Sequence, residues 1–347
     1  MPNDIVKISI LMLVLLAWQP NGAFGDNQNQ EKNWIFSLYF ENDTFLHTDY
    51  LYTNGLRFSA ASFLSDSWES LDLLPEWSLP FINRLPLVNK PGLYKNITLS
   101  MGQMMYTPID TEVSDPSDTD QPYAGLAYTA IGFCARDLKT FTSLELIVGV
   151  VGPHAYAEDT QRTVHQWLGQ DVPAGWDQQI DDELIFNLGL ERRGRWRPLY
   201  NASGWGMEWI PSLGTAIGNA VTNVHSGLQL RMGWNLPQDF GENIIRMGIS
   251  NTPSEYGSRF HQRRPFSFYT FAGIDGQFVL WDISLDGNTF DRNEFTNKEP
   301  LRYLLNGGVG IVYKNFSLSL AYVRSSEAFE LQGEPHAYGT VLVSYVY

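Results

Sequence analysis

The sequence predicts an all-β protein, a transmembrane antiparallel barrel of about twelve strands with a short helical insert in an outer loop. Residues 34–41 alternate large apolar and polar side chains, which a pleated strand places on opposite faces. Aromatic residues make up 14% of the chain, as expected for a barrel with aromatic girdles at both membrane interfaces. The alternating apolar residues that end at Tyr347 are typical of a closing strand that pairs back to the first.

The first 25 residues predict a secretory signal peptide. A short segment containing Lys7 precedes an apolar run at 8–16, which is too short to cross a bilayer as a helix, and the small residues Ala23 and Gly25 follow. This order predicts cleavage after Gly25. We therefore expect residues 26–347 to form a single barrel domain in the outer membrane of a Gram-negative cell.

Charge and cysteine content exclude several classes of protein. The net charge is −15, and no basic stripe is present to neutralise phosphates, so nucleic-acid binding is not expected. The single cysteine, Cys134, excludes an internal disulfide framework despite export. We expect a monomer that is stabilised by its closed strand network and surrounded by outer-membrane lipids.

Alternation and turn signals predict twelve strands along the chain. These strands are 34–41, 52–61, 97–106, 123–136, 141–151, 183–193, 204–218, 221–234, 266–285, 301–313, 316–325 and 337–347. An even number places both termini on the periplasmic side and directs the loops at 44–50, 107–121 and 152–182 outward. In the connection at 65–91, the amphipathic piece 68–77 predicts a short interfacial helix.

Residues 159–169 of the outer insert predict a short helix. Asp159 can cap its N-terminus, and Gly169 can end it. Gln161 and His165 are four residues apart and share a helix face, so an amide and an imidazole are presented together. A histidine on a short helix is more often a surface or packing residue than a general base. The apolar side chains expected to rest against the inner barrel wall are Val164, Trp167 and Leu168.

Strand parity predicts a cation site at the outer rim. If the apolar side chains of 34–41 face lipid, Asp43 points into the lumen, and Thr53 on the next strand does so as well. Carboxylate and hydroxyl oxygens from neighbouring strands suit a hard cation such as Ca²⁺. The alternative is that Asn42, Asp43 and Thr44 only shape a turn, and both interpretations stay open at this point.

Seven short motifs occur in order along nearly the whole chain after the signal peptide. They are Glu-Asn-Asp-Thr-Phe at 41–45, Tyr-Thr-Asn-Gly-Leu at 52–56, Asp-Gln-Pro-Tyr-Ala-Gly at 120–125, Val-Gly-Pro at 151–153, Gln161 with His165, Trp176 with Gln179, and Leu-Asp-Gly-Asn-Thr-Phe at 285–290. Each motif is weak alone, but their order and spacing are more specific. Through these motifs the chain resembles the lipid A 3′-O-deacylase family.

The resemblance implies a twelve-stranded outer-membrane barrel that removes the 3′-linked acyloxyacyl group from lipid A, within lipopolysaccharide, in a calcium-dependent reaction. It places the active site between the inner wall and a helix of an outer loop. By matching position, His165 would be the base that activates water, and Gln161 would contact the substrate or orient that water. Asp43 would bind Ca²⁺, and Thr53 and Asn42 would complete the metal and oxyanion environment. An ester hydrolase of this kind needs no serine nucleophile, and the sequence contains no Gly-x-Ser-x-Gly elbow.

The chain departs from the family pattern in the loop at 106–120. Described family members present a lysine there, whereas this loop has no Lys or Arg and carries five acidic residues. Arg162, Lys298 or bridging cations could contact a lipid A phosphate instead, and Asp171 could occupy the place of an acidic site residue. Three alternatives remain: an outer-membrane phospholipase, a non-catalytic barrel acting as a pore or structural protein, and a soluble β-sandwich.

Overall fold

The computed structural model describes residues 34–46, 50–71, 73–112, 120–246, 266–289 and 296–347, and the predicted signal peptide lies outside these residues. The strands are β1 (Ile35–Asn42), β2 (Leu51–Ala61), β3 (Tyr94–Thr107), β4 (Ala124–Arg136), β5 (Thr140–Val151), β6 (Glu183–Gly194), β7 (Trp196–Tyr200), β8 (Trp205–Gly218), β9 (Val221–Trp234), β10 (Phe266–Asp282), β11 (Leu301–Tyr313), β12 (Phe316–Ser325) and β13 (Ala337–Val346). The α-helices are α1 (Leu79–Ile82), α2 (Ala157–Leu168) and α3 (Ile283–Asp286). Among the described residues, no helix combines the length and the apolar character needed to cross a bilayer.

The strands form one closed antiparallel barrel. β1 pairs with β13 from Ile35↔Val346 to Asn42↔Gly339, and β6 pairs with β8, which joins the two ends of the strand order. β7 continues β6 beyond Arg195 and pairs only with β8, so the two together make one wall strand. The wall therefore has twelve strands, which confirms the predicted fold and excludes the soluble sandwich.

The two faces of the wall differ as the alternation predicts. On β1, Phe36 is exposed on the outer surface, whereas Ser37, Tyr39 and Glu41 are buried inside. Exposed large apolar side chains continue around the outer surface on most wall strands, where lipid would cover them. β1 begins and β13 ends at the same end of the barrel, as an even number of wall strands requires, and in outer-membrane barrels this end faces the periplasm.

Two predicted elements differ from the structure. The strand predicted at 266–285 ends at Asp282, whose side chain accepts a hydrogen bond from the N–H of Ser284 and so caps α3. The interfacial helix predicted at 68–77 is wrong, because among the described residues of this connection helical turns occur only at Glu76–Ser78 and in α1. Trp68, expected at a membrane interface, is fully buried under this connection.

The lumen is filled by a chain segment that the sequence did not indicate. Residues 235–246 follow β9 from the periplasmic end into the barrel. The side chains of Arg193, Arg195 and Arg197 donate hydrogen bonds to backbone carbonyl oxygens of this segment. The N–H of Ile245 donates to the Glu41 carboxylate at 2.8 Å. Among the described residues, this luminal segment, rather than an inward-folded helix, occludes the barrel, which argues against a passive pore.

Candidate active site on the outer face of the barrel

The first half of the site lies where β1 ends. A single 3-10 turn, Asp43–Leu46, follows this strand. The Asp43 side chain is fully buried, and its Oδ2 accepts a hydrogen bond from the N–H of Tyr50 at 2.9 Å. Asn42 Oδ1 accepts from the N–H of Thr44 at 2.8 Å. The side chains thus shape a turn, as the alternative interpretation held, while the turn also buries a carboxylate.

Thr53 occupies a β-bulge in the pairing of β2 with β3. The register shifts between Tyr52 and Asn54, and a bulge re-aims the side chains on either side of it. Tyr52 consequently turns into the lumen, where its hydroxyl donates to Glu41 at 2.8 Å. Thr53 Oγ1 instead lies 2.8 Å from Thr107 Oγ1.

Thr107 belongs to the outer-facing row of β3, which also contains Gln103 and Met105. The intervening residues Met104 and Tyr106 line the lumen, so alternation directs this row outward. The prediction that Thr53 faces the lumen is therefore wrong, since simple parity cannot anticipate a bulge.

Helix α2 packs on the same outer face. Gln103 Nε2 donates to the carbonyl of Ala155 at 2.7 Å just before the helix, and Ala157 clusters with Met105, Tyr123 and Trp176. A Cβ at Gly125 of β4 would lie 2.4 Å from the Cβ of Ala157. Glycine at this position thus permits the close approach of the helix to the wall.

The helix ends as predicted but begins differently. Gly169 caps the C-terminus with φ 73°, whereas the N-cap is Tyr156 at φ 55°, and Asp159 lies in the first turn. The expected apolar contact with the inner wall is also wrong, because Val164 and Trp167 are exposed. Lipid and the membrane interface, rather than the lumen, adjoin this side of the wall, so an outward apolar strip is favourable there.

Ala157, Gln161 and His165 are spaced four residues apart and so share one face of the helix. Both Gln161 and His165 are buried. His165 Nδ1 lies 2.5 Å from the carbonyl oxygen of Asp171. A carbonyl oxygen can only accept, so Nδ1 carries a proton, and in the neutral ring Nε2 is then the nitrogen with the lone pair that a general base needs. Asp171 therefore contacts the imidazole through its backbone carbonyl oxygen, and Asp171 as a whole is exposed.

Trp176 fixes the orientation of Gln161, a role that the sequence motif alone did not suggest. Its Nε1–H donates to Gln161 Oε1 at 2.7 Å, and its ring packs on Tyr123 at a centroid distance of 4.9 Å. Because the amide oxygen faces the indole, the amide N–H groups face the opposite side. That side can present donors to a substrate oxygen or to a water molecule.

Both halves contact the outer end of β3. Thr107 contacts Thr53 beside the Asp43 turn, and Met105, two residues earlier, contacts the helix side. Leu51, at the start of β2, and Tyr156 both have φ values in the left-handed region. Such conformations are uncommon for residues other than glycine and cluster at functional sites.

The residues around Asp43 supply oxygen ligands. The carboxylate of Asp43, the hydroxyls of Thr53 and Thr107 and the carbonyl of Leu51, which lies 3.5 Å from Thr53 Oγ1, are hard donors of the kind that Ca²⁺ prefers. Across the described ranges, no group of three or more His, Cys, Asp or Glu side chains could hold a metal. This set of oxygen donors fits a calcium site with one carboxylate.

The two basic candidates for phosphate contact are engaged with carboxylates. Arg162 pairs with Glu158 one helical turn away, and Lys298 Nζ lies 2.6 Å from Asp286 Oδ1. In the acidic loop, Asp120 accepts hydrogen bonds from Ile109 and Gln121, and burial raises the pKa of its carboxyl. Residues 113–119 of that loop lie outside the described residues.

A separate cavity of about 180 Å³ opens in the outer half of the lumen. Its wall includes Tyr52, Tyr106, Arg246, Arg302 and His336. None of the predicted site residues is among the described residues that line it. The candidate active site is thus outside the lumen, on the side of the wall that lipid can reach.

Comparisons with known proteins agree with this architecture. A family model described as "Outer membrane protein LpxR" matches residues 8–347. The solved structure of LpxR from Salmonella typhimurium aligns with a TM-score of 0.70 and 16% sequence identity, covering 91% of this chain and 100% of that chain. At this identity the structural likeness establishes the fold alone.

Two other barrels align less well. The β domain of the Bordetella autotransporter BrkA gives a TM-score of 0.42 at 10% identity, covering 92% of this chain and 99% of that one. The translocator domain of NalP from Neisseria meningitidis gives 0.33 at 8% identity, covering 100% and 97%. A comparison with curated protein sequences gives no match. Because the family model covers nearly the whole sequence, the chain belongs to the LpxR family of outer-membrane proteins.

Proposed function

We propose that this protein is a calcium-dependent esterase that removes the 3′-linked acyloxyacyl group from lipid A in the outer membrane. The observation that carries the proposal is the position of the Gln161–His165 face, buried beneath α2 on the outer surface of β3 and β4. A lipid of the outer leaflet can reach this surface without entering the occluded lumen. Membership of the LpxR family supports the same substrate.

The exposed side of α2 is suited to a lipid substrate. Val164 and Trp167 are exposed beside the buried Gln161 and His165, and Trp167 is half exposed. An apolar strip at the outer end of the wall can contact acyl chains of the outer leaflet. The polar face with Gln161 and His165 would then contact the ester bond. The helix would thus separate the acyl chains from the polar reaction centre.

The proposed reaction is hydrolysis of the ester at the 3′ oxygen. His165 Nε2 takes a proton from water as the water oxygen bonds to the acyl carbon. The bond from that carbon to the 3′ oxygen then breaks, and His165 returns the proton to the leaving oxygen. The products are a free acyloxyacyl carboxylic acid and a 3′-hydroxyl on the sugar.

Other side chains would position the reactants and stabilise charge. The Gln161 amide, held by Trp176, orients the water or donates to the ester oxygen, and Asn42 adds an amide at the rim. Asp43 and Thr53 would hold the cation. Bound Ca²⁺ would polarise the ester carbonyl and stabilise the negative charge that develops on its oxygen.

Purified protein in detergent tests this proposal with lipid A and phosphatidylethanolamine as substrates, each with calcium or a chelator. We expect wild type to release the 3′ group only with calcium, and His165→Ala to be at least ~100-fold slower. Asp43→Asn should require more calcium for half-maximal activity. Gln166→Ala, an exposed change on the same helix, is the control, and gel mobility of the unheated barrel checks folding.

Cleavage of phosphatidylethanolamine but not lipid A would identify a phospholipase instead. If neither lipid is cleaved by folded wild type, the non-catalytic barrel is the correct interpretation. If wild type and Asp43→Asn need the same calcium concentration for half-maximal activity, Asp43 does not bind the cation.

A further inference from the structure

The segment between β2 and β3, residues 62–93, leaves the periplasmic end of the barrel and folds back onto its outer surface. Ser65 forms two backbone hydrogen bonds with Lys95 at the start of β3, at 2.8 and 2.7 Å. Lys95 Nζ also donates to the carbonyl of Asp66 at 3.1 Å. The chain is thereby held against the wall rather than released into the periplasm.

The inner side of this segment covers wall positions that would otherwise face lipid. Ile97 and Leu144 belong to the same outward rows as the exposed Met101 and Leu146. Phe133 on β4 pairs with both and so faces the same way. The covering side chains and their wall partners form one apolar cluster, in which Trp68 meets the Phe133 ring edge-on at 5.8 Å. A piece of protein thus occupies the place of lipid beside β3, β4 and β5.

The outer side of the same segment is also apolar. Trp77 is 75% exposed and Phe81 67% exposed, and Leu73 and Leu87 are exposed as well. These four side chains continue the lipid-facing surface of the wall beyond the strands. Exposed aromatic residues at this level suit the boundary between head groups and acyl chains.

We propose that residues 73–87 rest in the periplasmic leaflet and contact its phospholipids through Trp77 and Phe81. Their partner is lipid because the surface is continuous with the lipid-facing wall and covers part of it. The same segment carries two exposed cationic side chains, Arg84 and Lys90, which can pair with the phosphate head groups of the lipids. The contact would fix the depth of the barrel independently of any activity at the outer end.

Site-specific fluorescence tests this contact in proteoliposomes of phosphatidylethanolamine and phosphatidylglycerol. The single native cysteine, Cys134, is buried, so Trp77→Cys and Phe81→Cys can each be labelled with a polarity-sensitive maleimide dye. Ala202→Cys, in the exposed turn between β7 and β8, is the aqueous control. Lipids brominated near the head-group end of the acyl chain report membrane contact, and iodide reports contact with water.

We expect brominated lipid to quench the dye at positions 77 and 81 at least ~2-fold more than at 202, with iodide giving the reverse order. Equal quenching at all three positions, or stronger iodide quenching at 77 and 81, would overturn the proposal. Gel mobility of each unheated, labelled barrel confirms that a water-exposed result does not come from unfolded protein.

Discussion

At the residue scale, the local environment of His165 determines what its ring can do. The sequence offered the carboxylate of Asp171 as an acidic site residue, but in the structure it is the backbone carbonyl of Asp171 that contacts Nδ1 of His165. Either partner would fix the same tautomer, because both accept a hydrogen bond. Sequence can therefore identify His165 and Gln161 by spacing and resemblance, whereas the identity of the orienting atom depends on how the chain folds after Gly169.

Trp176 is predicted to act as a positioning residue. Trp176→Phe keeps an aromatic ring beside Tyr123 but removes the donor to Gln161 Oε1. Leaving a buried acceptor without its donor costs about 1–3 kcal/mol, so we expect deacylation to fall by about 5- to 150-fold. Kinetics with lipid A should assign most of the loss to kcat.

The lipid-facing change Trp209→Phe on β8 is the control for removal of an indole. A purely structural role would destabilise the barrel without this selective kinetic effect. If Trp176→Phe has wild-type kcat and KM, the proposed orientation of Gln161 does not matter for the reaction.

The buried imidazole of His336 should make the free energy of unfolding depend on pH. Its ring packs beside Tyr50, and Nε2 donates to the Tyr52 carbonyl at 3.1 Å. Burial lowers the pKa of this imidazole to about 4, with the Tyr52 hydrogen bond acting in the opposite direction. The unfolded residue titrates near 6.5, so between these pH values the unfolded chain binds more protons.

The unfolding free energy should therefore fall as the pH drops from about 6.5 to 4, by at most about 3 kcal/mol from this group. Above pH 6.5 the contribution is fully present. Urea unfolding of the barrel at several pH values measures it, and His336→Asn should show a shallower decline. Parallel pH curves for the two proteins would contradict the assignment.

At the element scale, alternation predicted the strands closely but not every side-chain direction. Strands β9, β11 and β12 have the predicted bounds, because an uninterrupted run of alternating residues between turns has few other ways to pair. The bulge at Thr53 depends on pairing with β3, a distant part of the chain. Local sequence therefore predicted Thr53 as a site residue and gave the wrong side of the wall.

The contact between Gly125 and Ala157 predicts a compensating pair of substitutions. Gly125→Ala would place its Cβ against the Cβ of Ala157 and force α2 away from the wall. We expect the barrel to stay folded while lipid A deacylation falls at least ~10-fold, since small displacements of catalytic groups are costly.

Adding Ala157→Gly to that variant removes the opposing Cβ, and the next neighbour, the Cβ of Ala155, is 3.4 Å away. Activity should recover substantially in the double variant, although glycine in a helix costs about 1 kcal/mol. Ala157→Gly alone is the matched control. A double variant as inactive as Gly125→Ala would show that the close approach does not position the site.

At the scale of the whole molecule, the wall, the lumen and the outer loops have separate roles. The closed twelve-stranded wall follows from alternation, aromatic content and the apolar C-terminal strand, all of which are visible in the sequence. The filling of the lumen by residues 235–246 is not visible in the sequence, because it depends on arginines of the wall strand formed by β6 and β7 reaching one irregular segment. The candidate site consequently has to be reached from the lipid side.

Mass spectrometry of lipid A from Gram-negative cells that express either the wild type or His165→Ala tests the central claim most directly. With both barrels folded in the outer membrane, we predict that only the wild type produces lipid A lacking the mass of the 3′ acyloxyacyl group. Identical spectra from the two strains, with the full acyl complement retained or with equal loss, would contradict a His165-dependent deacylase on the outer face of the wall.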